Sequence, residues 1–375
     1  MEKILPQTSG VDHKIYKRVE NPKDADACAW VFKNAKEFVP YYFRLPVVAP
    51  HELRVRVLYT GLCHSDVSGG RNQWAPCNYP ICAGHEVVGE VQIVGDKVEN
   101  FKVGDKVFVG PIRNSCFKCE HCRRGDDNLC TELQDEDKYL YGRYFGGWAT
   151  HIQQPAHHIF HIPEGMDLRT CAPIICAGVT VFAPMQRHLK EKGLKVGIIG
   201  IGGLGHLALQ YGRSMGFEMV AFTTSEDKRN ECFKLGASHV VVVDKELKEL
   251  EKWQDKVDFL INNLYVIDMK TLDTYLKCIK NGGKLIQIGL PPHKQPMEFN
   301  FNTIVLKQIG VVGTSVASIQ ESKDTLEFTN KNGTIVQTED FSFVDFPKAL
   351  NRIENERPHF RCVVNVKDFV DAHFP

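Results

Sequence analysis

The stretch KVGIIGIGGLGHLALQYGRSMGFEMVAFTTS, Lys195–Ser225, restricts the fold more than any other part of the chain. It holds an apolar run, a glycine-rich turn, a helix-like segment and a second apolar run. The turn GIGGLG places Gly200, Gly202 and Gly205 at the G-x-G-x-x-G spacing, with Gly203 and Leu204 inside it. Glycines at those places allow a tight turn, a close backbone approach to a pyrophosphate, and close packing of the helix on the strand. The N-terminus of the helix then favours phosphate charge. The spacing alone is weak evidence; the strand before it and the helix after it give it weight. Downstream, HVVVVD, VDFLINN, GGKLIQIGL and IGVVGTSV are strand signals separated by helical stretches. Such alternation builds a parallel sheet with helices on both faces.

The second strand of this unit ends in AFTTSEDKR. A protein that binds NAD usually carries Asp or Glu there to hold the ribose hydroxyls. Here Thr223, Thr224 and Ser225 are followed by Lys228, and small hydroxyls with a cation suit a 2′-phosphate, which favours NADP. Glu226 and Asp227 stand beside them and argue the other way, unless they are solvent-facing acids at a helix start.

The first half of the chain differs in character. ELRVRVLYTGLC, HEVVGEVQIVG and VGDKVFVGP are short β-like runs broken by Gly and Pro, which suits an antiparallel, barrel-like domain. RCVVNV supplies a late strand near the C-terminus. With 375 residues the chain is long enough for two domains. The expected class is α/β: a Rossmann-type parallel-sheet cofactor domain at 176–318, set into a split β-rich domain at 1–175 and 319–375. Lys+Arg and Asp+Glu balance at 46 each, so no basic field marks a nucleic-acid or membrane partner. MEKILPQTSGVDHK has no apolar core of signal-peptide length, and no apolar run spans a bilayer, so a cytoplasmic protein is expected. Thirteen cysteines are then expected as thiols and metal ligands, since cytosolic disulfides are rare.

Four of them fall in SCFKCEHCRRGDDNLC: Cys116, Cys119, Cys122 and Cys130. Four thiolates in one loop satisfy a closed tetrahedral zinc site with no open position. An iron–sulfur cluster uses similar runs, and free surface thiols are the third reading. Zinc in such a site holds a loop together and performs no chemistry. Cys63 in GLCHSD, His85 in AGHEVVGE and Cys176 in ICAGVTVF are not linked by spacing; each alone fits a buried core residue.

The order of CHSD (Cys63–Asp66), GHE (Gly84–Glu86), the four-cysteine loop and the glycine turn resembles the zinc-containing medium-chain alcohol dehydrogenases, from about Ala29 onward. GLCHSD, RNQW, CAGVTVF and TTSEDKR are most similar to the cinnamyl-alcohol-dehydrogenase-like branch, which uses NADP and reduces aldehydes. The resemblance implies a GroES-like catalytic domain with a structural zinc lobe at 115–131, and two zinc ions per chain. It implies that Cys63, His85 and Cys176 bind the catalytic zinc, with the fourth position open to water or substrate. Glu86 matches a carboxylate that can approach the metal when substrate is absent. Asp66 matches the carboxylate that orients the ligand histidine. Ser65 matches the hydroxyl that contacts the substrate oxygen and starts a proton relay. Thr180 matches a residue near the nicotinamide, and His64 a basic group near the pyrophosphate. Trp74, in RNQWAP, is a candidate wall for an aromatic or allylic substrate and equally a packed loop residue. A homodimer through the edge of the cofactor sheet is the family's habit.

Two departures stand out. Many relatives carry histidine five residues past the first zinc cysteine, as the outer end of the relay; here that position is Ser68, which cannot hold a proton as histidine does near neutral pH. The usual Val-Pro-Gly-His-Glu is ICAGHE, with Cys82 and Ala83. The expected activity is zinc-assisted hydride transfer between NADP(H) and a primary alcohol or aldehyde. The rivals are an NAD-dependent alcohol or polyol dehydrogenase of the same fold and a non-catalytic, zinc-stabilised binding protein.

Overall fold

A computed structural model describes residue 12 and residues 15–140 and 143–374. The chain divides into two compact units. One takes the chain up to Cys176, Ala317–Asn330 and Val336 onward; the other takes Ala177–Val316 and Lys331–Ile335.

In the second unit, six strands lie in the spatial order His239–Val242, Glu218–Thr223, Lys195–Ile199, Val257–Asn262, Ile279–Gln287 and Gly310–Gly313. Every neighbouring pair is parallel. Numbered along the chain, that order is 3-2-1-4-5-6, the doubly wound arrangement that binds ligands where the order reverses, beyond the carboxyl ends of the strands. Those ends are Ile199 and Asn262 here. The strands read as unbroken apolar runs because both faces are covered: Ile199, Val220, Phe222, Leu260 and Leu285 share a core with Leu272 and Leu276 of the helix Met269–Cys278. The last strand is the exception. It forms the sheet edge, and Val311 is exposed there, as are Phe301, Val305 and Leu306 of the preceding helix Phe301–Lys307.

The first unit is built on a seven-stranded sheet. Thr338–Ser342, Arg361–Asn365, Glu52–Leu62, Val87–Val94, Lys106–Val109 and Ile159–His161 follow one another, and His151–Pro155 pairs with the first half of Glu52–Leu62. The sheet is antiparallel through its centre, as the alternating runs suggest, but Thr338–Ser342 runs parallel to Arg361–Asn365. The helix Phe346–Asn355 lies between those two strands in sequence, and a parallel pair needs a crossover of that kind. The edge strand, TEDFS, carries too little apolar alternation to be read as a strand. The four-cysteine loop, expected without periodicity, contains a short helix, Glu120–Arg123, and a 3-10 turn, Asp127–Leu129. Among the described residues no cysteine forms a disulfide. Among the described residues no helix is long and apolar enough to cross a membrane.

Candidate active site

The register of the first sheet assembles a buried cluster at one end. Thr60 of Glu52–Leu62 faces Val87, so Cys63, just past one strand, meets His85 and Glu86, just before the other. Gly61 N–H donates to the Glu86 carbonyl at 2.7 Å and fixes the approach. On the other flank Leu62 faces Cys362, which brings Arg361 to the same end. Cys176 follows the 3-10 turn Ala172–Ile175. The ligand atoms of Cys63, His85, Glu86 and Cys176 lie within 4.8 Å of one another, and all four residues are buried. His85 Nε2 and Cys176 Sγ are 3.1 Å apart.

Asp66 holds this cluster in place. It sits in the helix His64–Gly70 and is fully buried. Its Oδ2 accepts from Cys63 N–H at 3.2 Å, and its Oδ1 from Gly84 N–H at 2.8 Å and from His85 Nδ1 at 2.9 Å. With Nδ1 committed to a carboxylate, the lone pair of Nε2 is the one available to a metal. Burial pulls the His85 imidazole down, and the Asp66 carboxylate more than offsets it, so its pKa is raised well above the usual value. A hydrogen bond with Cys176 holds the Cys63 thiol well below its usual range despite burial, and Cys176 is raised in turn. Two sulfurs sharing a proton beside an imidazole form a donor set that suits a divalent cation. Zinc bonds of about 2.0–2.3 Å span a cluster of this size. One carboxylate oxygen of Glu86 pairs with Arg361, while the other, Oε2, is buried without a partner. Burial raises the Glu86 pKa, and Arg361 opposes it.

The second cluster is the four-cysteine lobe. Its ligand atoms also lie within 4.8 Å of one another, and Cys116 Sγ stands 3.8 Å from Cys122 Sγ. Backbone N–H groups point at the sulfurs: Cys119 N donates to Cys116 Sγ at 3.2 Å, Cys116 N to Cys130 Sγ at 3.4 Å and Cys122 N to Cys119 Sγ at 3.5 Å. The bond from Cys122 N–H helps lower Cys119 to about 6. Donors aimed at sulfur favour thiolates, the form a metal requires.

In the second unit, the glycine turn leaves Lys195–Ile199 and opens the helix Gly205–Ser214. Gly200 has φ 83°, a left-handed value that side chains resist. A Cβ on Gly205 would strike the Gly200 carbonyl, whereas one on Gly202 would meet nothing within 4 Å. The turn is therefore tight beneath and open at its second glycine, a cradle that suits a pyrophosphate. Gly203 and Leu204 complete the turn, with Leu204 as the helix N-cap. Thr223 ends its strand and Thr224 is exposed; Ser225 N–H donates to Thr223 Oγ1 at 3.2 Å. Lys228 Nζ reaches back to the Ile201 carbonyl of the turn at 2.8 Å. Glu226 is held by Arg229, and Asp227 is exposed. Thr180 is buried on the helix Ala177–His188. In the first unit, Ser65 and His64 are partly exposed in the first turn of their helix, and Trp74 is partly exposed on the loop beyond it.

Sequence reasoning passed over Arg361. The available signal was a lone arginine opening the apolar strand RCVVNV, where a charge needs a buried partner.

A Rossmann sheet with a glycine cradle, in one chain with a β-rich unit carrying a buried Cys/His cluster, defines a medium-chain dehydrogenase. The family profile described as "Alcohol dehydrogenase GroES-like domain" matches residues 49–164, and "Zinc-binding dehydrogenase" matches 203–331. Cinnamyl alcohol dehydrogenase 7 of Arabidopsis thaliana is 32% identical over 331 residues, covering 87% of this chain and 92% of that one. Aldehyde reductase YahK of Escherichia coli (strain K12) is 33% identical over 333 residues, 86% and 93% of the two chains. Among solved structures, a Sorghum bicolor cinnamyl alcohol dehydrogenase has a TM-score of 0.85 at 29% identity, covering 91% of this chain and 97% of its own. A Helicobacter pylori CAD complexed with NADP(H) has 0.83 at 27%, covering 91% and 98%. This chain belongs to the medium-chain alcohol dehydrogenase family, in its cinnamyl-alcohol-dehydrogenase-like branch, and is an alcohol dehydrogenase.

Proposed function

We propose that this enzyme reduces aromatic or allylic aldehydes of the cinnamyl type with NADPH, and oxidises the matching primary alcohols in reverse, using zinc. The observation that carries the reading is the buried cluster of Cys63, His85 and Cys176 oriented by Asp66. Zinc held there would act as a Lewis acid on the carbonyl or alcohol oxygen, and the nicotinamide would carry the hydride. Asp66 keeps His85 in the ligating tautomer. Ser65 passes a proton to the forming alkoxide. Glu86 stands beside the ligands with a buried oxygen to spare. Cys116, Cys119, Cys122 and Cys130 would hold a second zinc that shapes the lobe.

The reading is tested with zinc-replete protein and cinnamaldehyde, following cofactor oxidation with NADPH and NADH in parallel. Fast oxidation with NADPH alone supports it; equal rates with NADH would remove the 2′-phosphate part and leave the dehydrogenase. Support for NADP lies in the hydroxyls of Thr223, Thr224 and Ser225, in Lys228 leaning on the glycine turn, and in Glu226 being taken up by Arg229. Lys228→Ala is expected to raise the KM for NADPH about tenfold or more, since a hydrogen bond to a charged group contributes about 1.5–3 kcal/mol, while the KM for NADH changes little.

We also propose a cytoplasmic homodimer. The unpaired edge Gly310–Gly313 and the exposed Phe301, Val305 and Leu306 form an apolar face that soluble monomers rarely leave open. Leu306→Glu is expected to yield monomers in sedimentation velocity where the parent protein sediments as a dimer. A monomeric parent protein would refute the assignment.

A further inference from the structure

We infer that Lys138 is the counter-ion of the metal centre in the four-cysteine lobe, supplying from inside the protein the positive charge that lets the lobe keep its ion. The inference rests on the second zinc proposed above. Four thiolates around one divalent cation leave two negative charges in excess, and a centre taken partly out of water needs those charges answered close by. The lobe's own cations, Lys118, Arg123 and Arg124, are exposed, where solvent and salt screen them. Arg113 is buried but is taken by Glu52 at 2.8 Å.

Lys138 differs from all of these. It ends the short helix Asp135–Lys138 and is 7% exposed. Lysine is almost never so buried unless paired, yet among the described residues no carboxylate bonds to this one. Its Nζ instead donates to the carbonyl of Cys130, one of the four ligands, at 3.0 Å, and stands over the Tyr139 ring at 5.3 Å from the centroid. Burial lowers its pKa, and the Cys130 sulfur, the Asp135 carboxylate and the sulfurs of Cys122 and Cys119 oppose that shift. The attraction is mutual: an ammonium that the sulfurs keep charged also keeps the sulfurs ionised. The backbone adds to this. The Lys138 carbonyl accepts from Arg113 N–H at 2.7 Å and from Asn114 N–H at 3.2 Å. Arg113 and Asn114 lead into the loop and Cys130 is its last ligand, so one residue ties both ends of the lobe and brings a charge to it.

The test follows zinc loss to a chelating dye from the zinc-loaded parent enzyme and from Lys138→Met, Lys138→Gln, Lys138→Arg and Asp135→Asn, with circular dichroism to check folding. Cys176→Ala, which breaks the other cluster, identifies the zinc that belongs to the lobe. Lys138→Met is expected to release the lobe zinc about tenfold faster or more, the scale of a buried charge interaction. Lys138→Gln, which can still donate to the Cys130 carbonyl, should do the same. Lys138→Arg, which keeps the charge, should stay near the parent. Asp135→Asn removes an opposing charge and should slow the release about twofold, and the zinc at Cys63, His85 and Cys176 should leave at the parent rate throughout. A Lys138→Gln protein that holds its zinc as the parent does would show that the hydrogen bond, not the charge, is what counts, and would overturn the inference. Unchanged release from Lys138→Met would overturn it too. Should both neutral variants fail to fold, Asp135→Asn decides: release no slower than the parent's would overturn the inference. A Cys176→Ala protein free of zinc would instead overturn the second zinc itself, and the counter-ion with it.

Discussion

If the two-zinc aldehyde reduction proposed above holds, Cys176→Ala should leave a folded protein that binds one zinc where the parent binds two and that reduces cinnamaldehyde at least a thousandfold more slowly. The expectation comes from the cluster's economy. Cys63, His85 and Cys176 are the neutral-to-anionic donors that a catalytic zinc needs, and removing one leaves too few to retain the ion with an open position. A thousandfold is about 4 kcal/mol of transition-state stabilisation, within the several kcal/mol that a Lewis-acidic metal supplies. Cys176 is the informative choice because Cys63 also caps a helix through its backbone and His85 is tied to Asp66. Metal content by mass spectrometry and turnover with NADPH read the two halves separately. Retention of two zinc ions with full activity would exclude the cluster from the reaction.

Arg361→Met should lower the stability of the first unit by about 3–5 kcal/mol, the usual cost of removing one partner of a buried ion pair. Arg361 is 4% exposed and Glu86 fully buried, and the pair joins two flanks of the sheet. Without the guanidinium, Glu86 would be left as an uncompensated buried charge. The double variant Glu86→Gln/Arg361→Met should recover most of the loss, because neutralising both partners removes the desolvation problem. Urea denaturation followed by circular dichroism measures both, with zinc held constant since bound metal adds stability of its own. A double variant as unstable as the single one would show that shape, not charge, is what Arg361 provides.

The parts of this molecule that were legible are the parts set by local sequence. The glycine turn is a short-range pattern whose strand and helix lie beside it, and the four-cysteine lobe closes within one loop. The parallel sheet announces itself because its buried strands are unbroken apolar runs. The buried Cys/His cluster is different in kind. Cys63, His85 and Cys176 are brought together by strand register and by a turn far along the chain, so no spacing links them, and only the resemblance grouped them. Arg361 was invisible for the same reason: its partner is fixed by the pairing of Leu62 with Cys362. Ser68 was visible as a departure, yet Gln73, whose Oε1 its hydroxyl bonds at 2.9 Å, was not, because a side-chain hydrogen bond leaves no periodic trace.

The same pairing has a bearing on how the protein is made. Glu86 and Arg361 stand 275 residues apart, so at about 5–20 residues per second a ribosome exposes the carboxylate on the order of 15–55 s before its guanidinium exists. In that interval the contiguous parallel sheet can be completed, whereas the other sheet lacks the strand Arg361–Asn365 that belongs beside Glu52–Leu62. A nascent chain that had emerged as far as residue 335 would carry the complete second unit joined to a first unit with an open edge and an unneutralised acid. Docking of the strand Arg361–Asn365 therefore closes that edge and neutralises the acid in one step.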